Sequence, residues 1–202
     1  MLGRHSASKT DNKKMNMETK FRRDLEDYLA YNLYHASTNA TEKAKLRKSL
    51  IYYVVLLVLF FGTIAYSINS DYHSLHIYIP FAVIVTILAL LYPRYLRRHY
   101  KKSLSKQCKD TYKNNIGKEI TLRINDDSIQ TKSEDEEVTI SISQLTEIGE
   151  TGQYYFLKLL SGTAIIVPKD KLKNLDEFKI TINEIAKKMN IEHKINLDWK
   201  WK

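Results

Sequence analysis

Two long apolar runs interrupt an otherwise polar chain. The first is Leu50-Ile-Tyr-Tyr-Val-Val-Leu-Leu-Val-Leu-Phe-Phe-Gly-Thr-Ile-Ala-Tyr-Ser-Ile68. The second is Leu75-His-Ile-Tyr-Ile-Pro-Phe-Ala-Val-Ile-Val-Thr-Ile-Leu-Ala-Leu-Leu-Tyr-Pro93, and neither contains Asp, Glu, Lys or Arg. Each is about 19 residues, so a helix of ~28 Å nearly matches the ~30 Å hydrocarbon core of a bilayer. Lipid offers no partner for backbone N–H and C=O groups, which leaves a helix as the open-chain solution. The pattern predicts transmembrane helix 1 over residues 50–68, a short external loop over 69–74 and transmembrane helix 2 over 75–93. Tyr52, Tyr53, Tyr66, Tyr78 and Tyr92 lie towards the ends, at the headgroup level that amphipathic rings favour. Pro80 falls in the first turns of the second helix, where a missing N–H is tolerated, and Pro93 is expected to close it.

On either side the periodicity changes. Residues 1–18 are polar and predicted to be a disordered lead. From Thr19 to His35, Phe21, Leu25, Tyr28/Leu29 and Asn32/Leu33 recur at three to four residues, predicting an amphipathic cytoplasmic helix and linker over 19–49. Its apolar stripe suits either the membrane surface or the C-terminal domain, and Ala36–Thr41 reads as linker. Residues 94–116 are predicted to be a basic cytoplasmic helical linker.

Beyond residue 117 the period becomes two. Ile120, Leu122 and Ile124 alternate with polar residues, Asn125-Asp126-Asp127 is a turn, and further strands are predicted at Ser128–Lys132, Val138–Ile142 and Leu145–Gly149. Tyr154–Leu160 and Thr163–Val167 flank Ser161-Gly162, read as a two-residue hairpin turn. A helix follows, with Asn174 as N-cap, Glu177 three residues on, and Phe178, Ile182, Ile185/Ala186 and Met189 on one face. Ile195, Leu197, Trp199 and Trp201 share a face at period two. They suit a last edge strand or, alternatively, a Trp/Lys anchor on the membrane. The fold class is therefore a two-helix transmembrane hairpin plus a small α+β domain over 117–202, an antiparallel sheet or half-barrel capped by a C-terminal helix.

Charge sharpens this picture. The 202 residues carry 32 Lys+Arg and 23 Asp+Glu. Residues 1–116 hold 19 of the cations against 8 of the acids, and residues 117–202 hold 13 against 15. The cations collar the apolar runs: Lys43, Lys45, Arg47 and Lys48 before them, Arg94, Arg97, Arg98, Lys101 and Lys102 after. A nucleic-acid binder would place its basic face on the folded domain, so no nucleic-acid partner is expected. The loop between the runs has no Lys or Arg, and the positive-inside rule therefore predicts that residues 1–49 and 94–202 lie in the cytoplasm. The single cysteine, Cys108, excludes an intrachain disulfide. The first apolar run begins too late for a secretory signal.

Taken in order, Leu25-Glu-Asp-Tyr-Leu-Ala-Tyr-Asn-Leu-Tyr-His35, Ile116-Gly-Lys-Glu-Ile-Thr-Leu122, Ile142-Ser-Gln-Leu-Thr-Glu-Ile148, Tyr154-Tyr-Phe, Ala164-Ile-Ile-Val-Pro-Lys169 and Phe178 resemble the YcxB-like family of bacterial membrane proteins. That resemblance implies a lead helix, two spans and a C-terminal pleckstrin-homology-like domain. It implies no catalytic residues and no cofactor. Ser143-Gln144 stands where the family pattern leads one to expect an aromatic. Pleckstrin-like folds often bind phosphoinositides through cations in an early strand loop. Here that loop is Asn125-Asp126-Asp127, whose carboxylates repel phosphate, so the function is not carried over.

The six histidines show no i,i+4 pair, and the glycines form no phosphate loop. The expectation is a non-enzymatic, membrane-anchored interaction module, with the lipid bilayer and an unidentified protein as partners. A homo-oligomer is compatible with the sequence. The alternative expectation is an immunity or stress-response protein that protects against a membrane-acting toxin, acting chiefly through residues 50–93. Lys169, Lys171 and Lys173, with Trp199 and Trp201, are the candidates for headgroup or partner contact.

Overall fold

The structure, a computed structural model, describes residues 16–72, 76 and 78–201. It forms two compact units: Leu25–Asn114 with the final residues from Lys200, and the segment ending at Asp24 with Asn115–Trp199.

The first unit is helical: α1 (Leu25–Thr38), α2 (Ala40–Tyr72) and α3 (Tyr78–Thr111). With 33 and 34 residues, α2 and α3 are each about 50 Å long and run well beyond the apolar stretches into the basic collars. They lie antiparallel, with Tyr53 stacked on Tyr92 at 3.7 Å between ring centroids and Phe61 6.1 Å from Phe81. Pro93 does not close the second helix, as the sequence suggested, but lies inside α3. Its ring removes one backbone bond, and residues 94–111, which contain neither Gly nor Pro, resume the helix. The expected external loop also shifts, because α2 continues through Tyr72. Residues 73 and 74 of that loop, and Leu75, lie outside the described residues.

The expected linker at Ala36–Thr41 contracts to one residue. Asn39 sits between α1 and α2, and its Oδ1 accepts the backbone N–H of Thr41 at 2.8 Å, an N-cap that restarts the helix. α1 finds a partner that the sequence reading did not consider, the far end of α3. Tyr28 stacks on Tyr112 at 4.2 Å, and the Asn32 amide approaches the Cys108 thiol at 3.5 Å.

The second unit contains two sheets and one helix. β1 (Asn16–Arg22), β2 (Glu119–Asn125), β3 (Ser128–Lys132) and β4 (Glu137–Ser141) form an antiparallel sheet in that order. β5 (Leu145–Thr151), β6 (Tyr154–Leu159), β7 (Ala164–Pro168) and β8 (Glu192–Asn196) form the second, in the order β7-β6-β5-β8. β1 corrects the sequence reading. Asn16–Arg22 belongs neither to a disordered lead nor to an amphipathic helix, but pairs residue for residue with β2, from Asn16 opposite Asn125 to Arg22 opposite Glu119. Met17 and Phe21 are buried at 6% and 4% exposure, and Glu18, Lys20 and Arg22 face out, a period of two. The domain is therefore discontinuous, with the whole helical hairpin inserted between its first and second strands.

α4 (Leu175–Met189) begins as its sequence signals. The Asn174 side chain accepts the Glu177 N–H at 3.1 Å and donates to the Glu177 carboxylate at 3.0 Å. It ends on Asn190 in the left-handed region, with the Ile191 N–H bonded to the Ala186 carbonyl at 2.9 Å. Its apolar face, Phe178, Ile182, Ile185 and Ala186, joins one core with Phe21, Leu122, Ile129, Ile148 and Leu157 from both sheets. α4 also reverses the chain direction, so β8 runs parallel to β5 and the second sheet is not purely antiparallel. The expected final strand starts earlier and stops at Asn196, leaving Trp199 and Trp201 beyond it.

The turn joining β6 and β7 differs in detail from the expected two-residue form. Leu159 N–H bonds the Thr163 carbonyl at 2.9 Å and Gly162 N–H bonds the Leu159 carbonyl at 2.9 Å, enclosing a three-residue loop with Gly162 at φ 84°. Gly152 is required for a different reason. A Cβ there would stand 2.8 Å from the Leu197 backbone carbonyl oxygen. Gly152→Ala must displace the chain that follows β8, and is expected to destabilise the protein by about 1–3 kcal/mol, read from urea unfolding.

Candidate functional site

All nine collar cations predicted from sequence are exposed, Lys43, Lys45, Arg47 and Lys48 on α2 and Arg94, Arg97, Arg98, Lys101 and Lys102 on α3. Lys45 reaches Glu42 at 2.7 Å. Where the apolar stretches give way to the collars, α2 and α3 enclose a crevice of about 200 Å³, lined by Leu46, Arg47, Leu50, Pro93, Leu96, Arg97, Tyr100 and Trp201. Leu46 and Leu50 stand one turn apart on α2, and Pro93, Leu96/Arg97 and Tyr100 follow at three to four residues on α3, so one face of each helix builds the walls. The Trp201 indole stacks on Tyr100 at 5.6 Å with 21° between ring planes. Its indole Nε1–H is buried and has no acceptor among the described residues. Of the two tail tryptophans, Trp201 thus takes the position of an anchor on the helical unit. Trp199 remains in the sheet domain, its N–H bonded to the Asn196 carbonyl at 3.1 Å.

The lysines after β7, the candidates for headgroup or partner contact, do not share one exposed patch. Lys169 turns inward, 2.7 Å from the Glu150 carboxylate and 4.5 Å above the Tyr155 ring. Lys171 pairs with Asp24 at 2.8 Å, and only Lys173 of the three is exposed. Sequence proximity to Pro168 made them look like one surface patch. The 3-10 turn of Lys169–Lys171 instead aims the first two at carboxylates contributed by distant segments.

Lys169 belongs to a buried ionic cluster that the sequence did not disclose. Glu150 is 4% exposed at the end of β5, and the His193 Nε2 of β8 lies 3.0 Å from its second oxygen. Burial raises the Glu150 pKa. The hydrogen bond and charge of Lys169, the Tyr155 hydroxyl and His193 outweigh this, and the net value lies below the ordinary 4.5. Burial, with the neighbouring Glu150 charge, pushes the Tyr155 phenol far above its ordinary range. A second carboxylate on the same strand, Glu147, is held by Lys158 and Lys194, each at 2.6 Å. Burial raises its pKa too, but the two lysines bring it below the ordinary value. These groups lock β5 to β6, β7 and β8. Each carboxylate is paired with lysine, an arrangement that ties neighbouring strands of the sheet together. Among the described residues, no group of three His, Cys, Asp or Glu side chains is placed to hold a metal ion.

A smaller cleft of about 40 Å³ lies where the β3–β4 turn meets the start of β2, lined by Arg23, Lys118, Lys132, Ser133 and Glu136 among others. Its Lys118 is already paired with Asp135.

The architecture defines a class: two long apolar helices inserted into a two-sheet α+β domain. Residues 124–179, from the end of β2 through the first turn of α4, match the family model described as YcxB-like protein. Over that stretch the chain is similar to the YcxB-like family. No curated protein and no solved structure matches it.

Proposed function

We propose that the protein is a membrane-anchored, non-enzymatic module that holds a pleckstrin-like domain at the inner face of a bacterial plasma membrane, where it binds a protein partner by strand addition. Anchoring is supported by the helices themselves. The most apolar stretches of α2 and α3 have mean hydropathies of 2.2 and 1.8, and only 11% and 0% of them is buried within the protein. A soluble protein would bury such surfaces in its core. Large side chains such as Leu56, Leu59 and Leu90 are 64%, 64% and 74% exposed. The collars of both helices lie at one end of the hairpin, and the positive-inside rule assigns that end to the cytoplasm.

The observation that carries the binding mode is the edge strand β4. Among the described residues it pairs only with β3. Its sequence, Glu137-Val-Thr-Ile-Ser141, has no Pro or Lys to blunt it and a single charge. The other edges are guarded: β1 by Glu18, Lys20 and Arg22, β7 by Pro168, and β8 by Glu192 and Lys194. An unguarded edge of β-branched residues is a template for an added strand. Tethering beside the bilayer raises its effective concentration towards other membrane components.

A photoreactive residue at Thr139 or Ser141 is expected to give a discrete cross-linked adduct in cells. The same residue at Lys179 on α4 is expected to give none, and a Pro at Ile140 should abolish the adduct. Adducts of equal yield at all three sites, or none at the edge, would defeat the strand-addition reading. A reporter fused after Trp201 tests the topology separately and should be active only inside the cell.

A further inference from the structure

The geometry points to the crevice between the collar ends of α2 and α3 as a binding site for an anionic phospholipid, with Arg47 and Arg97 on the phosphate and Leu50, Pro93 and Leu96 against the acyl chain. This rests on the anchoring reading above and deepens it, because it assigns the hairpin a specific lipid as well as a generic solvent.

Three observations support it. First, the lining combines apolar and cationic side chains. Leu46, Leu50, Pro93 and Leu96 are half-buried in the lining, and Arg47 and Arg97 beside them are exposed. That is the profile of a phospholipid at the boundary between acyl chain and headgroup. Second, neither guanidinium has a carboxylate partner among the described residues, although the same collar pairs Lys45 with Glu42. Two unneutralised planar forks flanking one crevice favour a phosphate, which arginine binds in bidentate fashion. A zwitterionic headgroup would bring a cation to the same rim and lose that advantage. Third, Trp201 closes one side of the crevice, stacked on Tyr100. Its buried indole N–H has no acceptor among the described residues, and a phosphate or ester oxygen entering the crevice would supply one. The lining residues Leu50 and Pro93 have exposed apolar neighbours in Ile51 and Leu91, which gives a lipid a lateral approach from the bilayer.

The sequence supplies a clean probe, because Trp199 is the only other tryptophan. In a Trp199→Phe background, Trp201 is the sole indole of the full chain. Purified in detergent, this protein is titrated with phosphatidylglycerol or phosphatidylcholine carrying brominated acyl chains, and Trp201 fluorescence is followed. Saturable quenching is expected with brominated phosphatidylglycerol and not with phosphatidylcholine. Arg47→Gln/Arg97→Gln should weaken it by about tenfold to thirtyfold, the loss of two headgroup cations. Lys43→Gln/Lys101→Gln removes the same charge outside the crevice and should leave it within about twofold. Far-ultraviolet circular dichroism verifies that every variant keeps its helix content.

Equal quenching by the two lipids, or equal losses in the Arg and Lys variants, would overturn the site and leave anchoring intact. Full competition by inorganic phosphate would make it a simple anion site and overturn the lipid assignment. A chain that stays monodisperse without detergent would overturn the anchoring reading, and the lipid site with it.

Discussion

A polypeptide limited to residues 117–202 is expected to show no cooperative melting transition, whereas residues 16–24 joined to 115–199 through a short Gly/Ser linker should be soluble and melt cooperatively. The reason is β1. Without it the core loses Met17 and Phe21, both almost fully buried, and exposes Leu122 and Ile124, which are 0% and 1% exposed in the intact protein. Truncating a buried Met or Phe costs roughly 2–5 kcal/mol apiece. Losing both, with the seven paired positions that hold β1 to β2, consumes most of the ~5–15 kcal/mol that a domain of this size possesses.

The joined version is feasible because the strand ends are already closed. Arg22 pairs with Glu119, and the Gly117 N–H donates to the Arg23 carbonyl at 2.8 Å, leaving only a short gap where the helical unit is inserted. Circular dichroism melts and gel filtration of the two polypeptides decide the matter. If residues 117–202 melt at the same temperature as the joined form, β1 is an ornament and the discontinuous domain is wrong. Phe21→Ala in the joined form provides a graded version, expected to cost about 3–5 kcal/mol.

β1 was hidden from sequence reading for identifiable reasons. Phe21, Leu25 and Leu29 fall at i, i+4 and i+8, the spacing of a helix face, yet a strand ends between the first two. The true alternation, Met17, Thr19, Phe21, is only three residues long, and its partner strand lies about a hundred positions downstream, beyond any local pattern. By contrast β2 to β7 and α4 were legible, because within each sheet β2, β3 and β4, and β5, β6 and β7, pair with their neighbours in sequence. The apolar helices were legible from charge alone. Their ends were not, since Pro93 and Asn69–Tyr72 carry local signals that helix continuity overrode. The ionic cluster was the least legible feature. Glu150, Lys169 and His193 come from three strands or turns separated by 19 and 24 positions, and nothing local distinguishes Glu150 from a solvated acid. The one available hint was two carboxylates, Glu147 and Glu150, three positions apart on a strand of seven residues with Leu145 and Ile148 buried.

Lys169→Met is expected to destabilise the joined domain by about 3–5 kcal/mol at pH 7, because it strands the Glu150 carboxylate in a site of 4% exposure. In the native protein the carboxyl is held below its ordinary 4.5, so the folded state binds fewer protons than the unfolded one. Its contribution is therefore complete above about pH 4.5 and is lost as pH falls through the depressed folded value. Removing Lys169 leaves burial, the largest single influence, opposed only by the Tyr155 hydroxyl and His193, so the folded pKa is expected to rise above the unfolded one. The sign reverses: the variant's folded state now binds the extra proton, and its deficit shrinks as pH falls from 8 towards 5. Adding Glu150→Gln to Lys169→Met removes the stranded charge and should recover about 1–3 kcal/mol at pH 7 while changing little at pH 5. Urea unfolding of the three proteins across that range measures each term. A deficit for Lys169→Met that is the same at pH 5 and pH 8 would mean that Glu150 is solvated rather than buried, and that lost packing of the lysine stem over the Tyr155 ring, not an uncompensated charge, sets the cost.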